Sequence, residues 1–476
     1  MVPSPARRRG IGGFVVLPVV IAAILLLTSA PAAAGVSLTE IGADPFTGGA
    51  GQRGTQAGAD TFHWGTTIVS AQQARRFADG GAAGITFATS SDNGATWSRG
   101  VLPGITVAGG GPYQRVSDPS VAYDVLHGVW LISSLALDDL TGAAVLISRS
   151  ADGGRTWGEP VTAAAAGGGD LDKSWIVCDN DSGSPFHGTC YATFDDHAAG
   201  NAIKVARSDD GGLTWNVTGT SATGLGGQPV VRPDGTVVVA YLGNADEIRS
   251  FRSHDGGATW GPTVLVSRVQ RHTVAGGLRA APLPSAEVDA SGTVYVVWQD
   301  CRFQLACGAN DIVMSTSAGG SAWGYVTRVT SDGGDHFIPG LGVDRSSSLG
   351  TARLALAYYR YPSAACTAAT CRLTVGYTSS ANGGASWSEP VEIQGPMALD
   401  RLVASAQGPM AGDYVSTSVV PGGNAFPAFT VAASDVRTYT VTGGLPITGG
   451  GPATIAIEAP TASSTEPAPS RPRTAR

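Results

Sequence analysis

The chain has 476 residues, of which 43% are hydrophobic and 14% charged, and it carries 67 glycines. That is apolar material enough for a large core, and such glycine density suits short strands and turns better than helices. The net charge of −7 and isoelectric point near 5.5 exclude a nucleic-acid partner held through phosphates, which requires a basic face.

In chain order, residues 1–34 read as an export signal. Arg7, Arg8 and Arg9 give a basic start, the run from Phe14 to Leu27 is apolar, and Ala30-Pro31-Ala32 and Ala32-Ala33-Ala34 offer small-residue cleavage sites. The apolar run is short for a membrane span, so an uncleaved anchor is the weaker alternative. No later segment is long enough to cross a bilayer, which predicts a secreted, extracellular protein with no membrane contact after cleavage. The six cysteines agree with an oxidising compartment. They fall into three close pairs, Cys178 with Cys190, Cys301 with Cys307, and Cys366 with Cys371. Closeness along the chain favours these local disulfides; a metal site is the alternative, but neither a CxxC unit nor clustered histidines accompany them.

From residue 85 onward, short apolar strands precede a recurring turn. The strands are Ile85 to Thr89, Val145 to Arg149, Ile203 to Arg207, Ile248 to Arg252, Ile312 to Thr316 and Leu373 to Thr378. The turn reads Ser90-Ser91-Asp92-Asn93-Gly94-Ala95-Thr96-Trp97 first, then returns at Ser150–Trp157, Ser208–Trp215 and Ser253–Trp260. A copy ending at Trp387 has Asn382 in place of Asp, and Ser317–Trp323 has lost the Asp. A period of about 45 to 64 residues signals a solenoid, a propeller or an array. Asp in such a loop accepts backbone hydrogen bonds, glycine supplies left-handed angles and Trp buries a ring, so these residues read as structural rather than catalytic.

The motif S-x-D-x-G-x-T-W, intact four times, resembles the Asp-box or BNR repeat of the sialidase superfamily. The resemblance covers roughly residues 36–443. It implies an all-β propeller of four-stranded antiparallel blades, with each Asp-box between third and fourth strands. Six units carry a box. A last box-free stretch, Tyr414 to Val419, Ala425 to Val431 and Arg437 to Val441, follows, and Val36 to Ile41 could supply its fourth strand. The expected count is therefore six or seven blades. Residues 444–476, rich in Pro, Ser, Thr and Ala, read as a disordered tail. Leu445-Pro446-Ile447-Thr448-Gly449 resembles a sortase signal, but Gly451 to Pro460 is too short and polar to span a membrane, so chance is the better reading.

In a propeller the starts of first strands and the ends of second strands share one face. That face collects Arg75, Arg76, Arg115, Asp118, Asp172, Lys173, Asp195, Asp196, Arg279, Arg302, Asp413 and Tyr414, among others. In sialidases three arginines clamp a sialic acid carboxylate, a Tyr assisted by a Glu attacks the anomeric carbon, and an Asp serves as acid and base. By resemblance, Tyr414 is the nucleophile candidate, Glu287 its helper, Asp172, Asp195 or Asp196 the acid/base, and Arg115, Arg279 and Arg302 the clamp. The Arg-Ile-Pro tripeptide of sialidases is missing; the first blade reads Asp60-Thr61-Phe62-His63-Trp64 instead. Two functions compete: an exo-α-sialidase or related glycoside hydrolase, and a non-catalytic propeller that binds glycans or protein partners. The expected partner is a glycan or glycoconjugate, and the expected form a monomer. No cofactor is implied. Structural calcium in the acidic loop Asp179-Asn180-Asp181 is the exception considered, with a plain turn the simpler account.

Overall fold

The computed structural model describes residues 1, 2, 4, 36–449 and 457–458; the expected export signal and most of the tail lie outside the described residues. The described chain is all-β and antiparallel, with five short 3₁₀ turns between strands. None of its helices is long and apolar enough to cross a membrane.

The strands follow from short β-branched and aromatic runs cut by glycine-containing turns, and they group into four-stranded units. The first unit runs Gln56–Trp64, Thr67–Arg76, Ala82–Ser90 and Ser98–Val101, each paired with the next. Arg115–Asp124 opens the second unit and Leu171–Cys178 the third. The 16-residue strand Asn216–Val231 closes the third unit with its first half and opens the fourth with its second. Ser285–Val288 and Asp335–Val343 open the fifth and sixth. In the seventh, Ser416–Val419, Ala425–Ala432 and Val436–Val441 are completed by Leu38–Gly42, which pairs Leu38 with Val441. The N-terminal segment thus supplies the last unit's edge strand, as its sequence predicted.

Hydrogen bonds tie each unit to its successor. Asp60 Oδ2 accepts from Val121 N (2.7 Å), Ser120 Oγ from Ile176 N (3.2 Å), Gln228 Oε1 from Ala286 N (3.1 Å) and Ser285 Oγ from Leu341 N (3.1 Å). Thr193, on the third unit's second strand, donates to Gly227 O. Thr417 Oγ1 donates to Gly340 O (2.9 Å), and Ser418 Oγ meets Thr61 Oγ1 at 3.0 Å, which joins the seventh unit to the sixth and to the first.

The repeated turn has the predicted chemistry. Asp92 Oδ1 accepts from Thr96 N (2.9 Å) and Ser90 Oγ (2.7 Å), its Oδ2 accepts from Thr96 Oγ1 (2.6 Å), and Trp97 Nε1 donates to Gly94 O (3.1 Å). The Ser–Asp and Asp–Thr bonds recur at Asp152, Asp210 and Asp255. Against the pull of burial, hydrogen bonds from the threonine and its backbone bring all four carboxyls down to about 2. Asn382 keeps the acceptor role toward Ser386 N (3.0 Å) without the charge.

All three predicted disulfides form. The acidic loop at Asp179 is a tight turn: Asp179 accepts from Ser184 Oγ and Asp181 N, and Asn180 bonds Tyr123 O. The chain stays packed past residue 443. Leu445 and Ile447 are buried, and Thr448 exchanges two hydrogen bonds with Ser379 Oγ.

Candidate functional site

Five of the seven opening strands break register near their starts, between Ala57 and Asp60, Ser117 and Ser120, Asp172 and Trp175, Leu225 and Gln228, and Phe337 and Gly340. At each break one residue takes a left-handed backbone: Gly58, Asp118, Lys173, Gly226 and Ile338. A bulge of this kind re-aims a side chain. Glycine adopts the angle freely, whereas Asp118 (φ 45°) and Lys173 (φ 48°) hold it at a cost of roughly 1–3 kcal/mol each. Those two strained residues carry charges to a common point.

There Lys173 Nζ lies 2.7 Å from Asp413 Oδ2 and 3.6 Å from Asp118 Oδ1. Arg279 forks onto the same Asp413 carboxylate at 2.6 and 2.5 Å. Burial opposes the charge of Asp413, but Lys173 and then Arg279 outweigh it and hold the carboxyl far below its usual range. Burial likewise opposes the Lys173 charge, and Asp118 and Asp413 override it to raise the ammonium. Burial raises Asp118, with Lys173 working against it. Arg76 is buried in the same electrostatic neighbourhood, and its Nε has no hydrogen-bond partner. Tyr414 packs edge-on against Trp175 (5.0 Å between centroids), and its hydroxyl donates to Pro119 O at 3.0 Å. Burial first, and the Asp118 charge after it, push this phenol well above its ordinary value. The phenol is therefore held as a neutral donor.

Beside this group stands a second. Asp172, on an opening strand, pairs in register with Asp195 on the next. His197, in the 3₁₀ turn that follows, brings Nε2 to 3.3 Å from a carboxylate oxygen of each. Burial lifts Asp195 to about 7, with the Asp172 charge adding to the lift. Asp172 and then Asp195 raise His197 to about 10. Burial would raise Asp172, yet His197 and Lys173 hold it down. The cluster draws positive charge into itself.

Of the residues the sequence singled out, Tyr414, Asp172, Asp195 and Arg279 belong to these two adjoining groups. The others go elsewhere. Asp196 caps the His197 turn by accepting from Ala198 N (3.1 Å) and pairs with Lys204 (2.8 Å). Arg115 is held by Asp79 and Asp139 over the Phe77 ring, and Arg302 by Asp300 with Ser267. The three arginines serve three different sets of carboxylates, so no common clamp forms. Glu287 pairs with Arg345 (3.1 Å) in a 300 Å³ cavity lined also by Phe62 and Trp64. Tyr414 lines a separate, narrow cavity with Ser285, two residues before Glu287. His197 carries site chemistry that no motif announced. Arg76, Lys173 and Asp413 stood on the predicted face but outside the chosen set.

No protein-family model matches the chain, and no curated protein is similar to it in sequence. Among solved structures, the chain is similar to a Hadza microbial sialidase at 18% identity and a TM-score of 0.46, over 64% of this chain and 63% of that one. A leech intramolecular trans-sialidase is 13% identical with a TM-score of 0.40, over 64% of each chain. In both cases the match spans less than two thirds of the sialidase's own length. An ulvan lyase is 13% identical with a TM-score of 0.49, over 81% of this chain and 91% of that one.

Proposed function

We propose that the seven units are blades of one closed propeller of the Asp-box type, and that the chain is a secreted, carbohydrate-cleaving enzyme working at one mouth of it. The bonds from Ser418 to Thr61 and from Thr417 to Gly340 support closure. A single observation carries the functional reading. Asp118, Lys173, Arg279 and Asp413, from four separate units or the segments entering them, meet beside the Asp172–Asp195–His197 cluster, the first two of them on strained bulges.

In this reading the two groups divide the work. The exposed edges of Asp172 and His197 are the reactive end. Trp175 and Tyr414 form an aromatic wall for a sugar ring, and the partly exposed Arg279 meets its polar or anionic substituents. The exo-α-sialidase form of the reading needs three guanidinium groups around one substrate carboxylate, and here two are near, the partly exposed Arg279 and the buried Arg76. The broader class, a glycoside hydrolase or related glycan-cleaving enzyme, therefore has the better support.

The test is turnover by purified secreted protein of a panel comprising fluorogenic sialosides, neutral aryl glycosides and acidic polysaccharides. Cleavage of one of them, lost in Asp172→Asn and in His197→Ala, is the expected result. No cleavage from folded protein overturns it. A second reading is favoured by the Asp413 carboxylate that fills the Arg279 fork: a propeller that binds glycans without cleaving them. Saturable glycan binding at this mouth without turnover would establish that alternative.

A further inference from the structure

Among the described residues, Asp195 stands out for two buried carboxylate oxygens without a hydrogen-bond partner. Its side chain is only 1% exposed. A buried carboxylate demands a compensating positive charge and directed bonds. One of its oxygens faces His197 Nε2 at 3.3 Å, and Asp172 Oδ2 faces the same nitrogen at 3.3 Å. If a proton on His197 satisfied these carboxylates, the contacts should be short, about 2.7–2.9 Å for a charge-assisted N–H···O bond. At 3.3 Å they are longer than that, and a single N–H shared between two oxygens in a three-centre bond leaves each carboxylate only weakly satisfied.

The distance has another meaning. Bonds of about 2.0–2.1 Å from zinc to imidazole nitrogen and carboxylate oxygen, set tetrahedrally, put neighbouring ligand atoms about 3.3–3.4 Å apart. Both nitrogen–oxygen separations equal such an edge. One donor atom from each of Asp172, Asp195 and His197 lies within 4.8 Å of the others. On the opposite edge of the imidazole, Nδ1 is 3.9 Å from Asp170 Oδ2, beyond hydrogen-bond reach but on the side from which a carboxylate orients a metal-bound histidine. The Asp196 cap on Ala198 N fixes the turn that carries the ring. With Nε2 as ligand and carboxylates as partners, the donor set suits zinc rather than calcium, which takes oxygen ligands in larger number.

We propose that Asp172, Asp195 and His197 form a zinc-binding site at the propeller mouth, with three protein ligands and a coordination position open toward the glycan. Asp195 is the buried anchor; Asp172 and His197 close the site from the solvent side. The proposal deepens the functional reading above, because three ligands with an open position are the pattern of a catalytic rather than a structural zinc. A sugar oxygen or a water would take the fourth place, beside Tyr414 and Arg279.

The experiment is titration of the full secreted protein, freed of metal with EDTA, with Zn²⁺ alone, followed by calorimetry and by competition with a chromophoric chelator. One equivalent bound per chain is expected. His197→Ala, a change at a 41% exposed side chain that leaves the fold intact, should weaken binding by at least about tenfold to hundredfold. Asp195→Asn should do the same, and His254→Ala, at an exposed histidine outside the site, should change nothing. Co²⁺ in place of Zn²⁺ should give a visible absorption band that His197→Ala abolishes. Failure to bind a stoichiometric ion, or binding undiminished in His197→Ala, overturns the proposal. No glycan enters this measurement, so its outcome is separate from the turnover test. An enzyme indifferent to EDTA refutes the metal alone, and a zinc-loaded protein that cleaves nothing refutes the enzyme alone.

Discussion

Lys173 Nζ sits 2.7 Å from Asp413 Oδ2, across 240 positions of sequence, and joins the third unit to the segment that enters the seventh. Arg279 completes the group from the approach to the fifth. One carboxylate therefore pairs with a buried ammonium and a partly exposed guanidinium, and three distant parts of the chain depend on it.

Asp413→Ala should consequently be costly. It leaves Arg279 without its forked partner and Lys173 with only Asp118, 3.6 Å away, and removing one partner of a buried ionic group costs about 3–5 kcal/mol. Asp413→Asn keeps some hydrogen bonding and should cost less. Urea denaturation followed by tryptophan fluorescence reads both. A loss below about 1 kcal/mol for the alanine variant would show that water already screens the group.

Tyr414→Phe separates two chemistries. The hydroxyl donates to Pro119 O, so its removal should cost about 1 kcal/mol of stability and leave the ring against Trp175. Because the phenol is held neutral, turnover on the best substrate should fall by no more than about tenfold. A loss near 10⁴-fold in kcat would instead mark the tyrosine as a covalent nucleophile, as the sialidase resemblance implies.

The four turn aspartates predict a specific acid sensitivity. Their folded values, about 2, lie below the ordinary 3.8. The stabilisation they give is complete above pH 3.8 and is lost as pH falls toward 2. Asn382 already performs the same acceptor role without charge. Asn at this place keeps the acceptor geometry but not the charge, so Asp152→Asn should lower stability at pH 7 and make the acid-unfolding curve shallower. Unchanged stability at pH 7 would mean that the acceptor geometry alone, rather than the charge, holds the turn.

The strands, the repeated turn and the disulfides were legible because each depends on residues close in sequence; the closing N-terminal strand, which pairs Leu38 with Val441, was legible because the last unit lacked a fourth strand. The Asp92 bonds span two to four positions, and the cysteine pairs five to twelve. The site was legible only as a face. Which arginine reaches its centre depends on which carboxylate competes for it: Arg115 is drawn off by Asp79, 36 positions away, and Arg302 by its near neighbour Asp300, while Arg76 stays inside. Glu287 shows a second limit. Strand alternation turns it toward the interior, as it does Ser285, but two residues of strand rise are about 7 Å. That carries Glu287 out of the cavity of Tyr414 and into the one closed by Arg345. The bulges at Asp118 and Lys173 had no signature beyond the glycines standing at the matching places in other units.

Asp60 gives the last prediction, at the seam between the first two units. Its buried carboxylate accepts a hydrogen bond from Val121 N at 2.7 Å, yet burial raises it from 3.8 to about 6. A folded-state value above the unfolded one means that the native protein takes up a proton between these limits, so stability is highest below pH 3.8 and declines as pH rises through 6. The displacement, about two units, corresponds to about 3 kcal/mol. Asn in this place can still accept from Val121 and never ionises. Asp60→Asn should then be neutral near pH 4 and stabilising by up to about 3 kcal/mol at pH 8, measured by denaturant midpoints at the two values. Equal effects at both would show that the Asp60 carboxylate is already compensated, by Ser416 and Ser120 around it, and that the seam tolerates its charge.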